Sequence, residues 1–178
     1  MVLAEKKKQE NISEYIIYMY QTELLIRNFA FDIGKIRALV VDQISDENLN
    51  EAGKEELLVW YQAIISKMLK EELGKEGHLN EVQNTVKELS DLSVNLQIKD
   101  KAYFNTFNAA RPFIRASIQK SDGLITDPIQ ACLNGVFGLL IARMNGVEVE
   151  MKQMEAIEHF GNVLSLLSYH YKNPAELK

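Results

Sequence analysis

The chain has 178 residues, 47% of them hydrophobic and 25% charged, the proportions of an ordinary globular protein. This length suits a single domain spanning residues 1–178, and a chain of that size buries roughly 70% of its unfolded surface, so neither a disulfide nor a metal is needed to hold it together. Its 25 acidic residues outnumber 20 basic ones, and the resulting net charge of −5 repels a phosphate backbone and argues against nucleic acid as a partner.

Three prolines and nine glycines are few for this length, which favours long helices over a turn-rich β protein. The first predicted helix runs from about Lys6 to Phe29. Its centre, Tyr15 to Tyr20, is apolar on every side and must be covered all round, within the domain or between subunits. A short helix follows, with Asp32 as its N-cap and Ile33, Ile36, Leu39 and Val40 turned inward. Ser45 to Asn50 reads as a loop or a helix start. The third helix, about Asn50 to Leu73, repeats Leu57, Tyr61, Ile64 and Met68 at helical spacing, and Gly74 and Gly77 are placed to end it. The fourth, about Leu79 to Ile98, carries the stripe Leu79, Val82, Val86, Leu89, Ser93 and Leu96, with Asn80 and Gln83 as a candidate capping box.

Asp100 opens a fifth helix through Tyr103, Phe104, Phe107, Ile114 and Ile118, in which Pro112 predicts a kink or break near Asn108 to Arg111. Ser121-Asp122-Gly123 is a turn. Asp127-Pro128 is an N-cap followed by proline at the first helical position. The sixth helix, Pro128 to about Asn145, has a large-residue face (Ile129, Cys132, Leu133, Val136, Phe137, Leu140, Met144) and a small-residue face (Ala131, Gly135, Gly138, Ala142). Small residues at that spacing let a second helix backbone come close. The seventh helix, about Val149 to Lys172, carries Met154, Ile157, Phe160, Leu164 and Leu167, and Pro174 stops it. No segment alternates as a strand does, so the expectation is an all-α antiparallel bundle of six or seven helices.

Four segments stand out along this bundle: Glu10 to Gln21, Gly77-His78-Leu79, Arg111-Pro112-Phe113-Ile114 and Asn134 to Leu140. In this order and length, the chain resembles a family of uncharacterised proteins from Bacteroides-type bacteria. The likeness covers nearly the whole chain and implies an all-helical fold in a bacterial cytoplasm. The family has no established activity, so it lends no functional residues.

The chemistry legible in the residues is sparse. Cys132 is the one cysteine, which excludes an internal disulfide and a Cys-x-x-Cys site; its apolar neighbours mark it as a buried small hydrophobe. The amino-terminal charges lead into no signal-type apolar stretch, and the charge-free run Pro128 to Ala142 is shorter than the ~20 residues that span a bilayer. Lys6-Lys7-Lys8 is flanked by Glu5 and Glu10 and reads as a solvated turn. Glu-x-x-His pairs, which bind metal in carboxylate bundles, are absent. Glu88 with Asp91 and Glu155 with Glu158 match in spacing the acidic pairs of magnesium-dependent nucleotide pyrophosphatases, but in reversed order and on outward faces. No nucleophile elbow or phosphate loop occurs.

Polar residues inside apolar stretches remain. Burying one without a partner costs about 1–3 kcal/mol. Glu23 and Arg27, four residues apart, are expected to form a surface ion pair. His78, in a glycine-flanked turn, is expected to cap a helix. Tyr18, Gln21, Arg111 and Asn134 are the candidate ligand-binding set, with an inter-helix hydrogen bond, for instance from Asn134 to Gln21, as the structural account of Asn134. No catalytic constellation, cofactor or metal is expected. The leading expectation is a non-enzymatic protein acting through self-association or a protein partner; the alternative is a small-molecule-binding bundle or a cryptic enzyme.

Overall fold

The computed structural model describes residues 3–45 and 50–177. Its helices are α1 (Leu3–Glu10), α2 (Ile12–Asn28), α3 (Ile33–Ile36), α4 (Glu51–Lys70), α5 (Asn80–Lys99), α6 (Lys101–Lys120), α7 (Pro128–Met144) and α8 (Met151–Lys172). A wider π turn, Arg37–Val41, continues α3, and a 3₁₀ turn, Pro174–Leu177, follows α8. No strand occurs among the described residues, and the all-α bundle expected from the sequence is what the chain forms.

Side chains set most of the boundaries. Asp32, Asn50, Asp100 and Asp127 each turn a side-chain oxygen onto the first free N–H groups of α3, α4, α6 and α7, offsetting the unpaired donors at a helix start. Pro128 follows its cap at a position where no donor is lost. The single first helix expected over Lys6 to Phe29 is instead two. Asn11 leaves the helical conformation and accepts from the N–H groups of Ser13 and Glu14, starting α2 afresh. In α4 the glycines are not the terminators: the helix closes at Lys70, and Glu72, not a glycine, takes the left-handed conformation at φ 58°. The expected break at Pro112 is also absent, for α6 runs unbroken through it.

The core is built on α2, α5, α7 and α8, with α6 laid along α7 and α8 and α4 closing the α2 side. Ile16, Met19, Tyr20 and Ile26 of α2 are all but completely buried, as an all-round apolar helix requires. The α5 stripe faces inward along its length, Leu79, Val82, Val86, Leu89, Ser93 and Leu96 all being buried. Leu39, expected to face inward, is 60% exposed, and Val41 takes the interior place. The π turn adds a residue to that turn of helix and so rotates the inward face. Asp46 to Leu49 are outside the described residues, so the part of the expected loop or helix start that they form is not described. No helix among the described residues is long and apolar enough to cross a membrane.

Candidate functional site

A polar cluster lies where α2 meets the turn between α4 and α5. Glu23 is fully buried. One of its carboxylate oxygens accepts the Leu79 N–H at 2.9 Å, and the other lies 2.5 Å from His78 Nδ1. One turn further along α2, Arg27 donates through Nε to Leu73 O at 3.0 Å and through Nη2 to Gly77 O. The expected Glu23–Arg27 surface pair is therefore corrected: each side chain turns to the α4–α5 turn rather than to the other. Leu79 is the residue before α5 and offers no capping side chain, so carboxylates from elsewhere serve its start, Glu23 on Leu79 and Glu71 on Asn80 at 2.7 Å. This arrangement replaces the predicted Asn80–Gln83 capping box.

Tyr20 lies against this junction. Its ring stacks on His78 with centroids 3.6 Å apart, and its hydroxyl takes hydrogen bonds from Gln83 Nε2 at 3.2 Å and Gln130 Nε2 at 2.9 Å. Burial pushes the phenol up to about 12, the two amide bonds opposing that rise in part. Gln130 also donates to Asn134 Oδ1 at 2.7 Å. Asn134 thus reaches α2 at one remove, through Gln130 and Tyr20, and not by a bond to Gln21. One buried hydroxyl ties α2, α5 and α7 into a single register, a use of buried polar groups that cores make when every member is satisfied.

Tyr18 and Gln21 lie on another face of α2. They line an apolar groove of about 490 Å³ together with Leu25, Phe29, Ile141 and Met144. Arg111 is apart from both, donating to Gln97 at 3.4 Å with its guanidinium over the Phe107 ring. Of the four candidate ligand residues, the fold brings together Tyr18 and Gln21 in that groove and holds Asn134 and Arg111 in separate contacts.

The groove borders the carboxyl-terminal half of α7. In the first turns Ile129, Ala131, Cys132 and Leu133 are fully buried, and burial drives the Cys132 thiol well above its ordinary range, as an inert core thiol should be. From Asn134 onward no residue of the helix is fully buried, although the sequence stays apolar through Val136, Phe137, Leu139, Leu140 and Ile141. Met144 is 70% exposed, and Val147 and Met151 beyond the helix are 58% and 90% exposed. The two mid-helix glycines differ. A Cβ at Gly135 would meet the Phe160 ring at 2.5 Å, whereas one at Gly138 would meet nothing within 4 Å.

Residues 1–176 match the model of a family described as a domain of unknown function, DUF4924. The chain belongs to that family. No curated protein matches it, and no solved structure does. Among the described residues no three His, Cys, Asp or Glu side chains gather closely enough to hold a metal ion. Glu88, half of one acidic pair noted in the sequence, accepts the Tyr171 hydroxyl at 2.9 Å.

Proposed function

We propose that this family member is a non-enzymatic cytoplasmic module of a bacterial cell that works by self-association, two copies meeting across the carboxyl-terminal half of α7. The observation that carries this reading is the apolar run from Val136 to Met144, which the chain's own helices cover only in part. Val136, Phe137, Leu139, Leu140 and Ile141 are half-buried and Met144 is exposed, and a partly covered apolar surface of this kind suits an interaction site. A second copy is the favoured occupant on grounds of charge. Arg143 is the one charged residue of α7, so two copies meeting there bring few like charges together, whereas a chain of net charge −5 repels itself on average elsewhere. A two-fold contact is self-complementary by construction, so one apolar face suffices. Gly138, with open space over its Cα, suits close approach of the partner helix.

Sedimentation or light scattering at micromolar concentration tests the proposal. A dimer burying well over ~1,000 Å² is expected, and Met144→Glu with Val147→Glu should dissociate it without unfolding, since both side chains are exposed. A wild-type chain that sediments as a monomer would sink the reading. The small-molecule alternative keeps some footing in the Tyr18–Gln21 groove, whose volume lies in the range of ligand pockets, about 300–1,000 Å³. On that alternative Arg111 and Asn134 act at a distance from the groove, as framework for the helices that form it.

A further inference from the structure

A second cleft, of about 480 Å³, opens where α6, α7 and the start of α8 converge; Gly135 lines it, but no residue from Val136 to Val147 does. Its walls are aromatic. Phe160 sits against α7 at the one place where the missing side chain of Gly135 admits its ring, and Phe113 is backed by His159, the two rings stacking 4.8 Å apart. Ala116 of α6 and Ala156 of α8, whose short side chains leave the space open, line the cleft beside Ile157. A larger aliphatic residue at Ala156 would fill this space.

The rim carries charge. Lys120 and Lys152 both line the cleft, and among the described residues neither has a carboxylate within ion-pair distance. Lys120 stands at the carboxyl-terminal end of α6, where a cation suits the helix dipole; Lys152 stands in the first turn of α8, where the dipole opposes one. Its position is therefore not accounted for by its own helix. Glu150 also faces the cleft, leaving an excess of one positive charge among these three side chains.

We infer that this cleft binds a small amphiphile with an anionic head, a medium-chain carboxylate whose tail lies between Phe113 and Phe160 and whose head meets Lys120 and Lys152. An apolar cavity with a few convergent polar groups fixing orientation is the usual form of a small-ligand site, and the unpaired lysines select an acid over the corresponding alcohol.

The test is calorimetric titration of the full chain with decanoate and, separately, decanol, both below the concentrations at which they form micelles. Decanoate should bind at one site per chain, and at least tenfold more tightly than decanol. Lys120→Gln with Lys152→Gln should remove that difference, and Ala156→Leu should block both ligands; circular dichroism checks that each variant keeps its helices. Failure of decanoate to bind the wild type, or binding that survives Ala156→Leu unchanged, would overturn the assignment. The Met144→Glu, Val147→Glu variant should bind decanoate as the wild type does, so loss of the dimer and loss of the ligand site are separable.

Discussion

Two glycines of α7 that look alike in sequence are under opposite constraints. At Gly135 an added methyl meets the ring of the buried Phe160, so Gly135→Ala should destabilise the chain by about 1–3 kcal/mol through overpacking, despite the better helix propensity of alanine. At Gly138 nothing stands in the way, and Gly138→Ala should stabilise the monomeric Met144→Glu, Val147→Glu background by about 0.5–1 kcal/mol. Urea melts of the two variants should shift in opposite directions. Glu23 is the residue whose loss should be felt most. Truncation to alanine strips the Leu79 N–H and the His78 ring of their partner and leaves a void, so Glu23→Ala should cost about 2–4 kcal/mol. A urea midpoint close to that of the wild type would show the carboxylate to be dispensable.

Helices were the most legible level of the sequence, because their signals are local. The caps Asp32, Asp100 and Asp127 and the α5 stripe lie where periodicity and side-chain chemistry place them. The readings that failed depend on contacts distant in the chain. Glu23 and Arg27 have the spacing of a surface pair, and only the arrival of residues 73–79, some fifty positions on, draws both inward. Asn11 is a local signal that the surrounding polar run, Glu5 to Glu14, obscured. For the candidate site, sequence alone showed that Asn134 and Gln21 needed accounting for, but not the role of Gln130, a residue with no special spacing that links Asn134 to Tyr20. Pro112 is a different lesson, since helix packing holds α6 together through a residue that lacks its hydrogen bond. Its ring is exposed, so Pro112→Ala should restore the bond to Asn108 and raise stability by about 1–3 kcal/mol. An unchanged melting temperature would mean that the helix is already relaxed around the proline.

For the molecule as a whole, the buried phenols set an alkaline limit. Burial pushes Tyr15, Tyr20 and Tyr61 each up to about 12, from an ordinary value of 10. Their folded pKa values are raised, so the stability they contribute is fully present below pH 10 and is lost as pH rises through about 12. Unfolding followed by helix signal should therefore begin above pH 10, and phenolate absorbance from these three should appear with unfolding rather than before it. A folded chain showing full tyrosinate absorbance at pH 11 would contradict this.

The hydroxyls of Ser13 and Ser168 lie 2.7 Å apart, and Ser13 also donates its backbone N–H to Ser168 and its hydroxyl to Leu164 O. This clasp joins the start of α2 to the last turns of α8 across 155 positions of chain. A ribosome adding about 5–20 residues per second therefore makes the second serine roughly 8–30 s after the first. Throughout that interval the most apolar stretch of α2 has been synthesised while part of its permanent cover has not. The growing polypeptide is thus a natural client for chaperones that hold exposed apolar segments, and release of a chain cut short before α8 should leave it prone to aggregation.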